Sequence, residues 1–137
     1  MASGEKFEKY SSTLRIYGRI EDMSVIGMRL GLEPTHICRR GDPVQGSSER
    51  YDLDFWLMTS AVTPSRPLED HLAWLKSRLL PRGYVLRDIK NALSVDVYCE
   101  YRSNHAQGGF SLPPEMLTWL VELGIGLEVA VVFEKTT

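Results

Sequence analysis

Apolar and polar residues alternate through STLRIYG, residues 12 to 18, and alternation over that length predicts a half-buried strand. The period then changes. In EDMSVIGMRLGL (21 to 32), Met23, Ile26 and Leu30 recur at helical spacing behind acidic residues, and Gly31 is placed to end the helix in a left-handed conformation. The polar stretch EPTHICRRGDPVQGSSER that follows, rich in Pro and Gly signals, reads as one long loop over 33 to 50. Loops of that length inside a domain tend to be functional or mobile.

YDLDFWLMTSAV (51 to 62) predicts a second strand, with Leu53, Phe55 and Leu57 on one face and Asp52, Asp54, Trp56 and Met58 on the other. PSRP breaks it, and Leu68, Leu72, Leu75 and Leu79 then follow at helical spacing after a start at Ser65 and Pro67. Pro81 and Gly83 interrupt, and YVLRDIKNA is a shorter helical piece. LSVDVYCEYR (93 to 102) is a third strand with Val95, Val97, Cys99 and Tyr101 on one side. PPEMLTWLVELG offers Met116, Leu117, Leu120 and Leu123 for burial, and LEVAVVFE (127 to 134) closes the pattern as a fourth strand.

A faint echo links MRLGLE in the first half with VELGIGLE in the second. Two β-α-β units, 12 to 62 and 93 to 134, are thus joined by a helical insert over 66 to 91. Right-handed crossovers in both build one four-stranded, mainly antiparallel sheet with the helices on one face. The expected fold is therefore α+β, ferredoxin-like with an extra helical insert. Residues 12 to 134 form its single domain, and 1 to 11 form a polar N-terminal tail.

The segment YRSNHAQGGFSLPPEML (101 to 117) has the residue types of an enzyme site but reads as a strand-to-helix hinge. Gly108 and Gly109 free the backbone as it leaves the strand, while Ser111, Pro113, Pro114 and Glu115 suit a helix start. It contains no phosphate-cradling loop, and Ser111 lacks the setting of a hydrolase nucleophile. Taken together, LGLEPTHICRRGDP, PLEDHLAWLKSRL and QGGFSLPPEMLTWLVELGIGLEVAVVF resemble the bacterial domain of unknown function family 4279 from about Leu14 to Phe133. The resemblance implies a small α+β domain and brings no catalytic residues with it. Pro113 departs from the family, where a small hydroxyl residue more often precedes the Pro-Glu pair.

Charge narrows the partners. A formal net charge of −2 and a pI near 5.9 leave no basic footprint for nucleic acid. No apolar run is long enough to cross a membrane, and the N-terminus has no apolar core of a secretory signal. Cys38 and Cys99 then read as reduced thiols in a cytoplasmic protein. His36, Cys38, Cys99 and His105 have the chemistry of a zinc set, but Cys99 falls on the apolar side of its strand, so no metal or cofactor is expected.

Candidate function lies on the sheet face turned away from the helices. Period two sends Arg15, Tyr17, Asp54, Trp56, Met58, Asp96, Tyr98, Glu100 and Arg102 there, and aromatics with arginine and acids are typical of recognition surfaces. The leading expectation is a non-catalytic module for protein binding or self-association, with toxin neutralisation as one form of it. An alternative is a small-molecule pocket between the sheet and the 33 to 50 loop, using Arg39, Arg40, Asp54 and Trp56. A third is an enzyme with paired carboxylates drawn from Asp54, Asp96 and Glu100.

Overall fold

The computed structural model describes residues 5–135. Its strands and helices run β1 (Glu8–Gly18), α1 (Met23–Leu30), β2 (His36–Cys38), β3 (Asp54–Thr59), α2 (Leu68–Leu79), α3 (Gly83–Ile89), β4 (Ser94–Ser103), α4 (Pro114–Leu123) and β5 (Gly126–Phe133). A short 3-10 turn, Leu80–Arg82, links α2 to α3 where Pro81 cannot donate to a regular helix. The strands form one mixed sheet in the order β2-β3-β1-β4-β5. The α+β class holds, with five strands in place of four.

Local chemistry sets the helix ends. The Asp22 carboxylate accepts from the Ser24 backbone N–H to start α1, and Gly31 ends it at φ 68°. Pro114 opens α4 and Gly124 closes it at φ 66°. Apolar stripes on the helices then meet one sheet face. Leu14 and Ile16 from β1, Val97 and Cys99 from β4, the four leucines of α2 and Trp119, Leu120 and Leu123 of α4 share one core. Burying each such side chain contributes about 1.5–3 kcal/mol relative to leaving it exposed.

The first half departs from the expected crossover. β1 and β3 are antiparallel neighbours, so 12 to 62 is not a simple β-α-β unit. The strand that α1 delivers parallel to β1 is β2, only three residues long and hidden in the polar HIC of the supposed loop. The chain then turns back through residues 39–52 and inserts β3 between β2 and β1. That return is an ordered hairpin: Tyr51 N–H donates to Asp42 O, Gly41 N–H to Tyr51 O and Val44 N–H to Glu49 O. Only β4-α4-β5 is a direct parallel pair, in register Val97 to Leu127 and Tyr101 to Val131. The strands β2-β3-β1-β4 are thus antiparallel neighbours throughout, and β5 is added parallel to β4 at that edge.

Two further differences concern faces and ends. β1 begins at Glu8, so residues 8 to 11 of the expected tail lie in a strand, while residues 1 to 4 lie outside the described residues. In β3 the faces are exchanged. Trp56 and Met58 pair with Ile16 and Leu14 and are buried under the helices, whereas Phe55 and Leu57 sit beside Tyr17 and Arg15 on the other face. Along β5, Val129, Val131 and Phe133 point to the helix side but stay exposed, because α4 turns Trp119, Leu120 and Leu123 inward and Leu117 and Val121 outward.

Residues 104 to 113 do act as the link from β4 to α4. Phe110 meets the edge of Tyr101, which stacks on Tyr10 at 5.2 Å. Both tyrosine hydroxyls donate to Glu8, at 2.7 Å from Tyr101 and 2.9 Å from Tyr10. These bonds hold the Glu8 carboxyl below the usual range, and burial together with Glu8 pushes Tyr10 up to about 12. A Cβ at Gly108 would stand 2.0 Å from the Tyr101 hydroxyl, so close approach, not catalysis, requires glycine there.

Candidate functional site

The face opposite the helices carries a stripe of aromatic and guanidinium groups that crosses three strands. Its order follows from register: Thr13 lies beside Tyr98 and Thr59, Arg15 beside Asp96 and Leu57, Tyr17 beside Phe55. Arg15 is gripped by Asp96 through two bonds, Nε to Oδ1 at 2.8 Å and Nη2 to Oδ2 at 2.7 Å, and Nη2 also meets Glu128. Its guanidinium carbon lies 4.6 Å from the Tyr98 ring centre and 5.6 Å from that of Tyr17. Tyr17 stacks on Phe55 at 5.1 Å, and Phe55 meets Tyr51 of the hairpin at 5.8 Å. Hydrogen bonding to Asp96 outweighs desolvation and raises the Arg15 pKa further, so the charge is permanent.

The stripe is preorganised and open. A bidentate pair fixes the guanidinium plane, and cation–π contacts fix it relative to the tyrosines. A shallow cavity of about 350 Å³ lies beside it, lined in part by Arg15, His36, Tyr51, Phe55, Leu57 and Tyr98. At the far end Arg102 bridges Glu100 and Glu134. Among the described residues, the helices pack their buried side chains into the core on the other face, and on this one Tyr51 of the hairpin lies against Phe55.

Of the residues expected in a site, Arg15, Tyr17, Asp96, Tyr98 and Glu100 stand together on this face. Asp54 and Trp56 do not; both are buried on the helix side. Asp54 accepts from the backbone N–H of Ile20 at 2.8 Å and of Arg40 at 2.9 Å, and pairs with Arg40 Nε at 2.9 Å. Burial alone would raise its pKa, but these amides and the Arg40 and Arg39 charges outweigh it and hold the carboxyl below its usual range. Arg40 is thereby a structural tie between hairpin and strand. Arg39 donates from Nη1 to Ile20 O at 3.3 Å and lies at a separate groove beside α1.

Phe55, Leu57 and Tyr51 complete the stripe and were missed with the faces of β3. Of the three carboxylates considered for an enzyme, Asp54 faces away from Asp96 and Glu100, and Asp96 is paired with Arg15. The zinc set is likewise divided: Cys38 pairs beside Phe55 on the open face, and Cys99 lies in the core with its thiol pushed up to about 12 by burial. Among the described residues no group of three or more His, Cys, Asp or Glu side chains is placed to hold a metal ion. Among the described residues no helix is long and apolar enough to cross a membrane. A Ser60 Oγ to His71 Nδ1 contact of 2.7 Å is also present, but both side chains are buried, His71 on the inward side of α2.

The family model for a domain of unknown function, DUF4279, matches residues 8–134. The chain belongs to the DUF4279 family. The match begins where β1 begins and ends just after β5, so it covers every strand and helix of this DUF4279 domain. Neither the curated proteins nor the solved structures compared contain a match to it.

Proposed function

We propose that this DUF4279 protein is a non-catalytic binding module whose open sheet face engages a protein surface, either a separate partner or a second copy. One observation carries the reading: the stripe Tyr98–Arg15–Tyr17–Phe55–Tyr51 lies half-buried across the middle of the sheet, already locked in place. Tyr and Arg dominate the energetics of protein interfaces, and side chains fixed before binding lose little entropy on contact. Asp96 and Glu128 more than offset the Arg15 charge, so what the stripe offers a partner is the tyrosine faces, which suit apolar and aromatic groups. The paired state of the acids and the mixed charge of the face argue against catalysis and against nucleic acid. Two unpaired, buried cysteines suit a reducing, cytoplasmic setting.

The test is a Tyr17→Ser/Tyr98→Ser double variant. Native mass spectrometry first establishes whether the wild-type protein is a dimer or carries a partner from its own cells. The double variant is expected to lose that association at least about tenfold, because each truncated aromatic anchor removes on the order of 1–2 kcal/mol. Its thermal unfolding stays close to wild type, since both rings are only half-buried. Undiminished association in a folded double variant would overturn the assignment.

A further inference from the structure

Strand β5 is an unprotected edge. It ends the strand order, so among the described residues its outer side pairs with nothing. Its register with β4 fixes which backbone groups are left over. Glu134 N–H donates to Ser103 O, and the pairing runs without a bulge from Gly126 to Phe133. Period two therefore turns the backbone of the even-numbered residues toward β4 and leaves the N–H and C=O of Leu127, Val129, Val131 and Phe133 facing outward. Exposed edges are ordinarily blunted by Lys, Pro, a bulge or short length. β2, the other edge, is only three residues long, whereas β5 has eight and none of those devices. Its one charged residue, Glu128, is drawn back over the sheet to Arg15, as Glu134 is to Arg102.

The edge is also apolar on the helix side, where Val131 is 69% exposed and Phe133 60%. Leu123 of α4 packs against Gly83 of α3, and the exposed Leu117 and Val121 lie on the flank of α4 away from it. We propose that a second copy of this chain pairs antiparallel with β5 about a two-fold axis at Ala130, joining the two five-stranded sheets into one. The strand matches itself in this register. Only odd-numbered residues offer outward groups, so they face odd-numbered residues: Val129 lies opposite Val131 of the second copy, and Leu127 opposite Phe133. Glu128 then faces Val132. Centring on Val131 would set Glu128 against Glu134, two like charges, and centring on Val129 would leave Phe133 past the end of the facing strand. Opposed side chains share a face, so the two apolar helix-side patches meet while both open-face stripes stay clear on the other side. The inference rests on β5 and is independent of the open-face reading.

The experiment is sedimentation of the purified chain over a range of concentrations. Wild type is expected to form a concentration-dependent dimer. Val131→Lys, at an exposed position that keeps the fold, enters the interface twice and is expected to weaken the dimer at least about tenfold. Adding Val129→Glu sets an acid opposite each introduced lysine and is expected to recover most of that loss. Amide exchange at Val129 and Val131 is expected to slow as the concentration rises. Tyr17→Ser/Tyr98→Ser leaves this dimer intact, and the open-face reading is then judged on the bound partner alone. A wild-type chain that stays monomeric at millimolar concentration overturns the proposal, and so does a dimer indifferent to Val131→Lys in folded protein. A Val129→Glu/Val131→Lys protein no more dimeric than Val131→Lys overturns it as well, because the two positions would not then face each other.

Discussion

Asp54 ties together the parts of the molecule on which the open-face site depends, and removing its carboxylate is the sharpest test of the fold. Its oxygens hold Ile20 at the approach to α1 and Arg40 at the base of the hairpin that carries Tyr51. In Asp54→Ala the Ile20 N–H is left buried without an acceptor, at about 1–3 kcal/mol. The Arg40 amide and guanidinium also lose their partner, but they are partly exposed, so water recovers much of that loss. The total is about 2–4 kcal/mol, a large share of a typical domain stability. Asp54→Asn keeps one acceptor but turns an amide NH2 toward a donor, and is expected to cost about 1–3 kcal/mol. Urea unfolding followed by circular dichroism measures both, and amide exchange in residues 39–52 is expected to accelerate in the alanine variant.

The same carboxylate has a pH signature. Its pKa is lower in the folded chain than in the unfolded chain, so on acidification the unfolded state takes up the proton first. The stabilisation is complete above the unfolded value of about 4 and is lost as the pH falls through the folded value. Asp54→Asn should lack that component of the acid loss. An Asp54→Ala protein within about 0.5 kcal/mol of wild type, with unchanged exchange in the hairpin, would refute the reasoning.

Two other outcomes follow from the side-chain placements. Met58→Asp puts a charge into the core and is expected to prevent folding or cost more than about 4 kcal/mol, whereas Leu57→Asp on the open face is tolerated with a cost of about 1 kcal/mol; thermal melts of the two variants distinguish the faces. His71 has its pKa lowered by burial, against the pull of the Arg66 and Thr63 carbonyls. The unfolded chain therefore binds the proton first below about pH 6.5, and stability that is full above that value declines as the pH falls. Urea midpoints on either side of pH 6.5 should show this decline in wild type and a smaller one in His71→Gln.

Where alternation was clean, sequence and structure agree. β1 and β4 each place small or apolar residues on one side and Arg15, Tyr17, Asp96, Tyr98 and Glu100 on the other, so half of the open-face stripe was legible from period two. The leucines of α2 and the glycines closing α1 and α4 were equally readable. β3 was not. DFWLMT is apolar on both faces, and Asp54 argued for solvent because the backbone N–H groups that donate to it lie 34 and 14 residues away at Ile20 and Arg40. A carboxylate satisfied by distant amides looks exposed in sequence and is buried in space. Choosing the wrong face moved Trp56 outward and hid Phe55. β2 escaped for a different reason: three residues are too few to show a period, and its strand character comes from pairing with β3. The crossover from α1 was consequently assigned to the wrong strand.

The central claim is that the open sheet face is where this protein is recognised. The most direct measurement is site-specific photo-crosslinking in the protein's own cells, with a benzophenone amino acid at position 98 on the stripe or at position 84, the exposed Tyr84 of α3 on the helix side. The account predicts one discrete adduct from position 98, to a partner or to a second copy, reduced at least about fivefold when Tyr17→Ser is added, and no discrete adduct from position 84. A discrete adduct from position 84 with none from position 98 would contradict it.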